Sequence, residues 1–208
     1  MQEFLIKIPA LVFCAAVTSV VHAGGPWVSL FDGESLKQWD GDFTVFRIEG
    51  GAIVGGNLQT NIPHNFFLQH RGSFEDFELR LQFRLKGDDT NAGIQIRSER
   101  IPNHHEMVGY QADLGQTYWG CLYDESRRRR VLDKPDKEQL DRVLRRSDWN
   151  DYRIVCRGPR VQLWINDLQT VDYTEEDPDI PRSGRIALQI HSGPPGEAWY
   201  RKIRLRKL

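Results

Sequence analysis

Helical periodicity is almost absent from this 208-residue chain. Only KPDKEQLDRVLRR, around Pro135 to Arg145, sets Leu140, Val143 and Leu144 at partial helical spacing. That scarcity argues against any helix-built architecture. Cysteine is equally sparse, with Cys14, Cys121 and Cys156 alone, which excludes a disulfide scaffold. No fixed-period repeat or low-complexity tract occurs. Beyond the first two dozen residues no apolar run is long enough to cross a bilayer. Neither sign of charge dominates. A net charge of −1 gives no general attraction to nucleic acid or to an anionic membrane, so neither is expected as a partner.

The start, MQEFLIKIPALVFCAAVTSVVHAGG, has Lys7 ahead of an apolar run from Ile8 to Val21 and small residues at Val21 and Ala23. This pattern predicts a signal peptide over residues 1–23, cleavage before Gly24, and export to the periplasm or the exterior. Phe13 is too bulky for a lipoprotein signal around Cys14. Loss of Lys7 and Glu3 leaves the net charge unchanged. Residues 24–208 then form one domain, large enough for a substantial core. The remaining pair, Cys121 and Cys156, fits either one disulfide or two buried thiols.

What the chain has in abundance is short runs of alternating apolar and polar residues, broken by Gly, Asn, Asp or Pro. FELRLQFRL puts Phe77, Leu79, Leu81, Phe83 and Leu85 on one side and Glu78, Arg80, Gln82 and Arg84 on the other. GIQIRS, GYQADLG, YRIVCR, VQLWIN and RIALQIH alternate in the same way. Asn166-Asp167, between two such runs, predicts a tight hairpin. The fold class is therefore all-β, a sandwich or jelly roll of antiparallel sheets with at most one short helix.

Three of these strands carry paired hydrogen-bonding side chains on one face: Gln95 with Arg97, Gln111 with Asp113, and Gln189 with His191. Ile94, Ile96, Leu114, Ile186, Leu188 and Ile190 supply the opposite, core-directed faces. A plain solvated face would favour Lys, Glu, Thr and Ser. This mixture, with Tyr110, Trp119 and Tyr123 nearby, fits a site for hydroxyl-rich ligands as well as it fits a wet sheet face.

LFDGESLKQW, NAGIQIRS, GYQADLG followed by WGCLYDE, SDWNDYRIVCRG with WIND, and GRIALQIHSG with WYRKIRLRKL occur in that order from about Val28 to the C-terminus. The ordered set resembles the 3-keto-disaccharide hydrolase domain family. The resemblance implies a concanavalin A-like jelly roll of two packed antiparallel sheets, a saccharide site on the concave face, export, and action on sugars oxidised at C3. Asn91, Gly93 and Arg97 match its Asn-x-Gly-x-x-x-Arg core, and Gln189 and His191 match its Leu-Gln-x-His. Many relatives have Glu-x-Gln-x-x-Asp or a similar pattern in the middle strand. Here it reads Tyr110-Gln111-Ala112-Asp113, which leaves the acid–base assignment open. The Glu-x-Asp-x-x-Glu triplet of laminarinase-type enzymes of this fold is missing, so a two-carboxylate retaining mechanism has little support.

A ketone at C3 acidifies the C2 hydrogen, so a base can remove it while the glycosidic oxygen leaves from C1 and water later adds to the enone. The route needs a base, a stabiliser of the enolate oxygen and a proton donor. Asp113 or His191 serves as base, Arg97 as stabiliser, and Glu125 or Tyr123 as donor. Asn91, Gln95, Gln111, Tyr123 and Gln189 are expected to bind substrate, with Trp119 stacking on a sugar ring. Structural alternatives stand beside these roles: Arg97 in an ion pair with Asp113 or Glu99, His191 capping the following turn, Glu125 paired with the Arg127–Arg130 run, and Trp164 in inter-sheet packing. No cofactor is expected. His104, His105 and Glu106 superficially suggest a metal cluster, but adjacent strand histidines point apart. The acidic loop Thr174 to Asp179 lacks an EF-hand pattern. A lectin-like module that binds saccharide without catalysis uses the same residues.

Overall fold

Alternation of the kind seen in FELRLQFRL buries one side chain in two, and two such sheets facing one another can share a dry interior. The computed structural model describes residues 24–208. The predicted leader therefore lies outside the described residues.

One sheet runs in the order β13 (Leu168–Thr174), β12 (Arg160–Ile165), β11 (Asn150–Arg157), β6 (Phe77–Lys86), β15 (Gly196–Lys207), β4 (Ala52–Asn57) and β3 (Phe46–Glu49), with β1 (Val28–Ser29) also paired to β15. The other runs β10 (Val131–Asp133), β9 (Leu122–Glu125), β8 (Met107–Gly115), β7 (Asn91–Arg100), β14 (Gly184–Ile190), β5 (Phe66–Phe74) and β2 (Trp39–Asp40). Every pairing is antiparallel. The expected sandwich is thus observed. Its one helix among the described residues, α1 (Lys137–Val143), falls within the predicted segment and is capped by the Asp136 carboxylate on the Gln139 N–H. Asn166 and Asp167 turn the β12–β13 hairpin with φ of 46° and 68°, as a two-residue turn of this kind requires.

Phe77, Leu79, Leu81, Phe83, Ile94, Ile96, Ile154, Leu163, Leu188 and Ile190 are fully or almost fully buried between the layers. Tyr200 of β15 crosses this interior. Its hydroxyl lies 2.6 Å from the Gln189 carbonyl and 3.2 Å from that of Gly93, tying β15 to β14 and β7. Cys121 and Cys156 are both free and buried, the second of the two alternatives. The Arg127–Arg130 run is locally paired: Arg127 and Arg128 hold the Asp124 carboxylate, and Arg128 also reaches Glu175, which accepts from Tyr110. The adjacent Asp124, not Glu125, is therefore the partner of this run.

Arg97 departs from the alternation. Its φ is +49°, and the β7–β8 register slips between Ile96 and Glu99. This bulge removes Arg97 from the Gln95 face and turns it inward. The guanidinium, with a side chain only 1% exposed, donates to Glu75 O at 2.8 Å, Gly158 O at 2.7 Å and Asp76 Oδ1 at 2.9 Å. It clamps the end of β7 to the β5–β6 and β11–β12 turns. The expected enolate-stabilising role is corrected accordingly, because all three contacts are structural, and the alternative partners Asp113 and Glu99 are not the ones used. Arg97→Met should lower stability by about 3 kcal/mol in urea unfolding, since buried acceptors and Asp76 lose their shared donor. A variant with the wild-type urea midpoint would contradict the clamp.

Candidate functional site

Register aligns the polar side chains on the outer face of the seven-stranded sheet. Gln111 sits opposite Gln95 on one side and Tyr123 on the other, and Gln95 is opposite Ala187. One step along, Asp113 faces Gly93, which faces Gln189. A further step brings Asn91 beside His191, whose N–H bonds Asn91 O at 3.0 Å. Glu125 pairs with Gly109 at the other end of β8. Gln95, Gln111, Asp113, Gln189, His191, Asn91, Tyr123 and Glu125 thus share one face. Trp119 does not join them: it packs near Phe83 with ring centroids 6.2 Å apart, within the inter-sheet core at the sandwich edge, because the chain turns away after Gly115. Its expected stacking on substrate at this face is corrected.

Gly93 makes the floor possible. A Cβ there would lie 2.6 Å from Gln111 Cδ, so the Gln111 amide rests over bare backbone. A directional chain of bonds follows: Ser98 Oγ donates to Gln95 Oε1 (2.6 Å), Gln95 Nε2 to Gln111 Oε1 (2.8 Å), and Gln111 Nε2 to Asp113 Oδ1 (3.3 Å). The Leu114 N–H also donates to Asp113 Oδ1, at 3.0 Å. Both bonds land on the same carboxyl oxygen.

The floor is covered. Beyond the Arg97 bulge, residues 99–108 fold across β14 onto β5: Met107 packs with Phe67 and Ala187, Arg100 Nη2 donates to Phe67 O at 2.8 Å, and Asn65 Nδ2 donates to Glu106 Oε1 at 3.0 Å. His105 packs against His64 with ring centroids 4.5 Å apart. The HHE segment is therefore part of a hairpin tip closing the face. Glu106, Arg100 and Asn65 were not among the predicted site residues, since only the bulge brings them there. The Arg97–Ser98 irregularity has no signature in the alternation itself.

Burial beneath this tip reshapes the electrostatics. Desolvation, with the Glu125 charge adding to it, holds the Asp113 carboxyl well above the usual carboxylate range. Burial, reinforced by Glu106, pushes Glu125 up to about 7. Burial also raises the Tyr123 phenol. His191 Nδ1 lies 2.7 Å from Ser192 O; a carbonyl only accepts, so Nδ1 donates this bond. Among the described residues, four of the eight buried side-chain atoms without a partner lie on this face: both amide atoms of Gln189, Asn91 Oδ1 and Gln69 Oε1. Buried amides are ordinarily satisfied, so the cluster marks where a hydroxyl-bearing ligand can supply the missing partners.

A polar sheet face under a hairpin, on a two-sheet antiparallel sandwich, is the architecture of lectin-like carbohydrate proteins. The model of the 3-keto-alpha-glucoside-1,2-lyase-like domain family matches residues 26–206, and the chain belongs to that family. Similar solved structures include a candidate glycosyl hydrolase from Parabacteroides distasonis (TM-score 0.66, 16% identity, covering 88% of this chain and 94% of that one). A Bacillus subtilis protein of unknown function with a galectin-like fold has TM-score 0.65 and 13% identity, covering 88% and 94%. The B. subtilis carbohydrate-binding module CBM66 has TM-score 0.50 and 9% identity, covering 87% and 96%. At these identities the likeness is one of fold. No curated protein matches the chain.

Gln189, 0% exposed and without a bond at either amide atom, sits where folding alone gains nothing from it. Gln189→Leu should raise stability by about 1 kcal/mol in urea unfolding, by removing two unsatisfied polar atoms. A Gln189→Leu variant less stable than the wild type would contradict the assignment.

Proposed function

We propose that the protein cleaves glycosides of 3-keto-glucose by elimination at the covered face of the seven-stranded sheet. The observation that carries this reading is the pair of carboxyl groups on that face: Asp113, which burial holds well above the usual carboxylate range, and Glu125, which burial pushes up to about 7. Glu125 opposes Gly109, four residues from Asp113 on β8, or about 13 Å of strand.

Asp113 Oδ2–H donates to the C3 oxygen, which becomes enolate-like as the reaction proceeds. Ionised Glu125 takes the C2 proton, and the electron pair forms the C1=C2 bond as the C1–oxygen bond breaks. The proton returns from Glu125 to the departing oxygen, and water adds to the enone afterwards. A neutral carboxylic acid here takes over the stabilising role expected of Arg97. Gln95, Gln111, Gln189 and Asn91 bind hydroxyl groups. His191, three strands from Glu125 and at the far end of the patch, faces another part of the ligand. The hairpin tip must lift for entry, and on closing it excludes water during proton transfer. In this reading the enzyme acts outside the cytoplasm after loss of residues 1–23.

Incubation with p-nitrophenyl 3-keto-glucosides tests the reading. Because Glu125 works ionised, kcat should rise with pH through about 7, and Glu125→Gln should remove that rise and slow release of nitrophenol at least a hundredfold. Saccharide binding without turnover by the wild type would instead establish a lectin-like module, a reading favoured by the unpartnered Gln189 amide.

A further inference from the structure

The opposite surface of the sandwich carries a second cluster. Cross-strand register on the outer face of the eight-stranded sheet sets Arg153 opposite Arg80, and Arg80 opposite Arg204, so three guanidiniums stand abreast on adjacent strands. Like charges directly opposite one another destabilise a sheet unless something compensates them. Glu78 compensates in part: its buried carboxylate accepts from Arg80 at 2.8 Å and Arg153 at 2.7 Å, and pairs with Arg206. Burial opposes its ionisation, but these arginine bonds outweigh that and hold Glu78 at about 2. The ion pairs on this face leave Arg204 and Lys202 without a carboxylate among the described residues. Lys202 is also held at φ 52°, in a bulge where the β15–β6 register slips between Arg201 and Arg204. Bulges of this kind re-aim side chains at binding sites.

Arg80, Arg153, Lys202 and Arg204 line a cavity of about 930 Å³, bounded by Trp164 on β12 and by Trp27 ahead of β1. Trp164 lies 4.2 Å under Arg153, and Trp27, 36% exposed, lies 5.0 Å from Arg204. Two indoles at the ends of a row of planar cations recognise a chain of rings bearing carboxylates, since arginine pairs with carboxylates in bidentate fashion and indoles stack on ring faces. Asp151 and Asp167 also line the cavity, and they disfavour the denser charge of a nucleic-acid backbone.

We propose that this cavity is a second site, for an acidic oligosaccharide built of uronate residues, separate from the covered face and independent of the reaction assigned there. It would hold the protein on an acidic glycan while the opposite face meets its own ligand.

Calorimetric titration of the whole protein with trigalacturonate tests the proposal, with maltotriose and a single-stranded DNA dodecamer as comparison ligands. Trigalacturonate should bind, more weakly as salt rises, and maltotriose should not. The double variant Arg204→Gln/Lys202→Gly, whose changes leave the Glu78 pairs intact and suit the bulge, should bind at least about tenfold more weakly. Gln189→Leu should bind trigalacturonate as the wild type does. The proposal is overturned if trigalacturonate fails to bind, if maltotriose or the DNA binds equally well, if the double variant keeps full affinity, or if Gln189→Leu abolishes binding.

Discussion

One buried guanidinium sets the arrangement of the site. By clamping Glu75, Asp76 and Gly158, Arg97 holds its own backbone at positive φ and breaks the β7–β8 ladder. A regular ladder would carry the hairpin straight on past the sheet edge. The bulge instead sends residues 99–108 back over β14 and β5, where Met107, Arg100 and Glu106 find partners. A non-glycine residue at positive φ persists only where surrounding contacts hold it there, and three charge-assisted bonds supply the hold.

From that cover follow the properties of the floor. Amides and carboxyls that water would otherwise solvate are enclosed, so they must bond one another or wait for a ligand. Ser98, Gln95, Gln111 and Asp113 bond in sequence; Gln189 and Asn91 are left over. Enclosure also raises both carboxyl groups, Asp113 well above the usual carboxylate range and Glu125 to about 7. Tyr200 fixes the platform from beneath, since its hydroxyl holds the carbonyls of Gly93 and Gln189, the two residues at the centre of the floor.

The sandwich was legible because alternation is a local property. FELRLQFRL, Asn166-Asp167 and the segment around Leu140 each announce their element through near neighbours, and the ordered motifs announce the family. The same period of two placed Gln95, Gln111, Asp113 and Gln189 each on the polar face of its own strand, while their sharing one face was implied only by the family resemblance. Arg97 was misplaced for the same reason: the rule assumes an unbroken strand, and the bulge is set by partners more than twenty residues away. Trp119 was misplaced because the turn after Gly115 carries the chain to the sandwich edge. The cover itself was invisible in HHEM, since nothing local shows that Glu106 meets Asn65. Whether a polar face is wet or enclosed is decided by tertiary contacts, and the sequence left those two readings open.

The most direct test of the account is to watch the floor itself. Side-chain amide resonances of Gln95, Gln111 and Gln189, assigned by single substitutions to leucine, can be followed by NMR as a 3-keto-glucoside is added to the Glu125→Gln protein. The account predicts that the Gln189 amide shifts most and becomes protected from exchange, with smaller changes at Gln95 and Gln111. Saturating ligand that leaves all three amides unmoved would contradict the placement of the saccharide on this face.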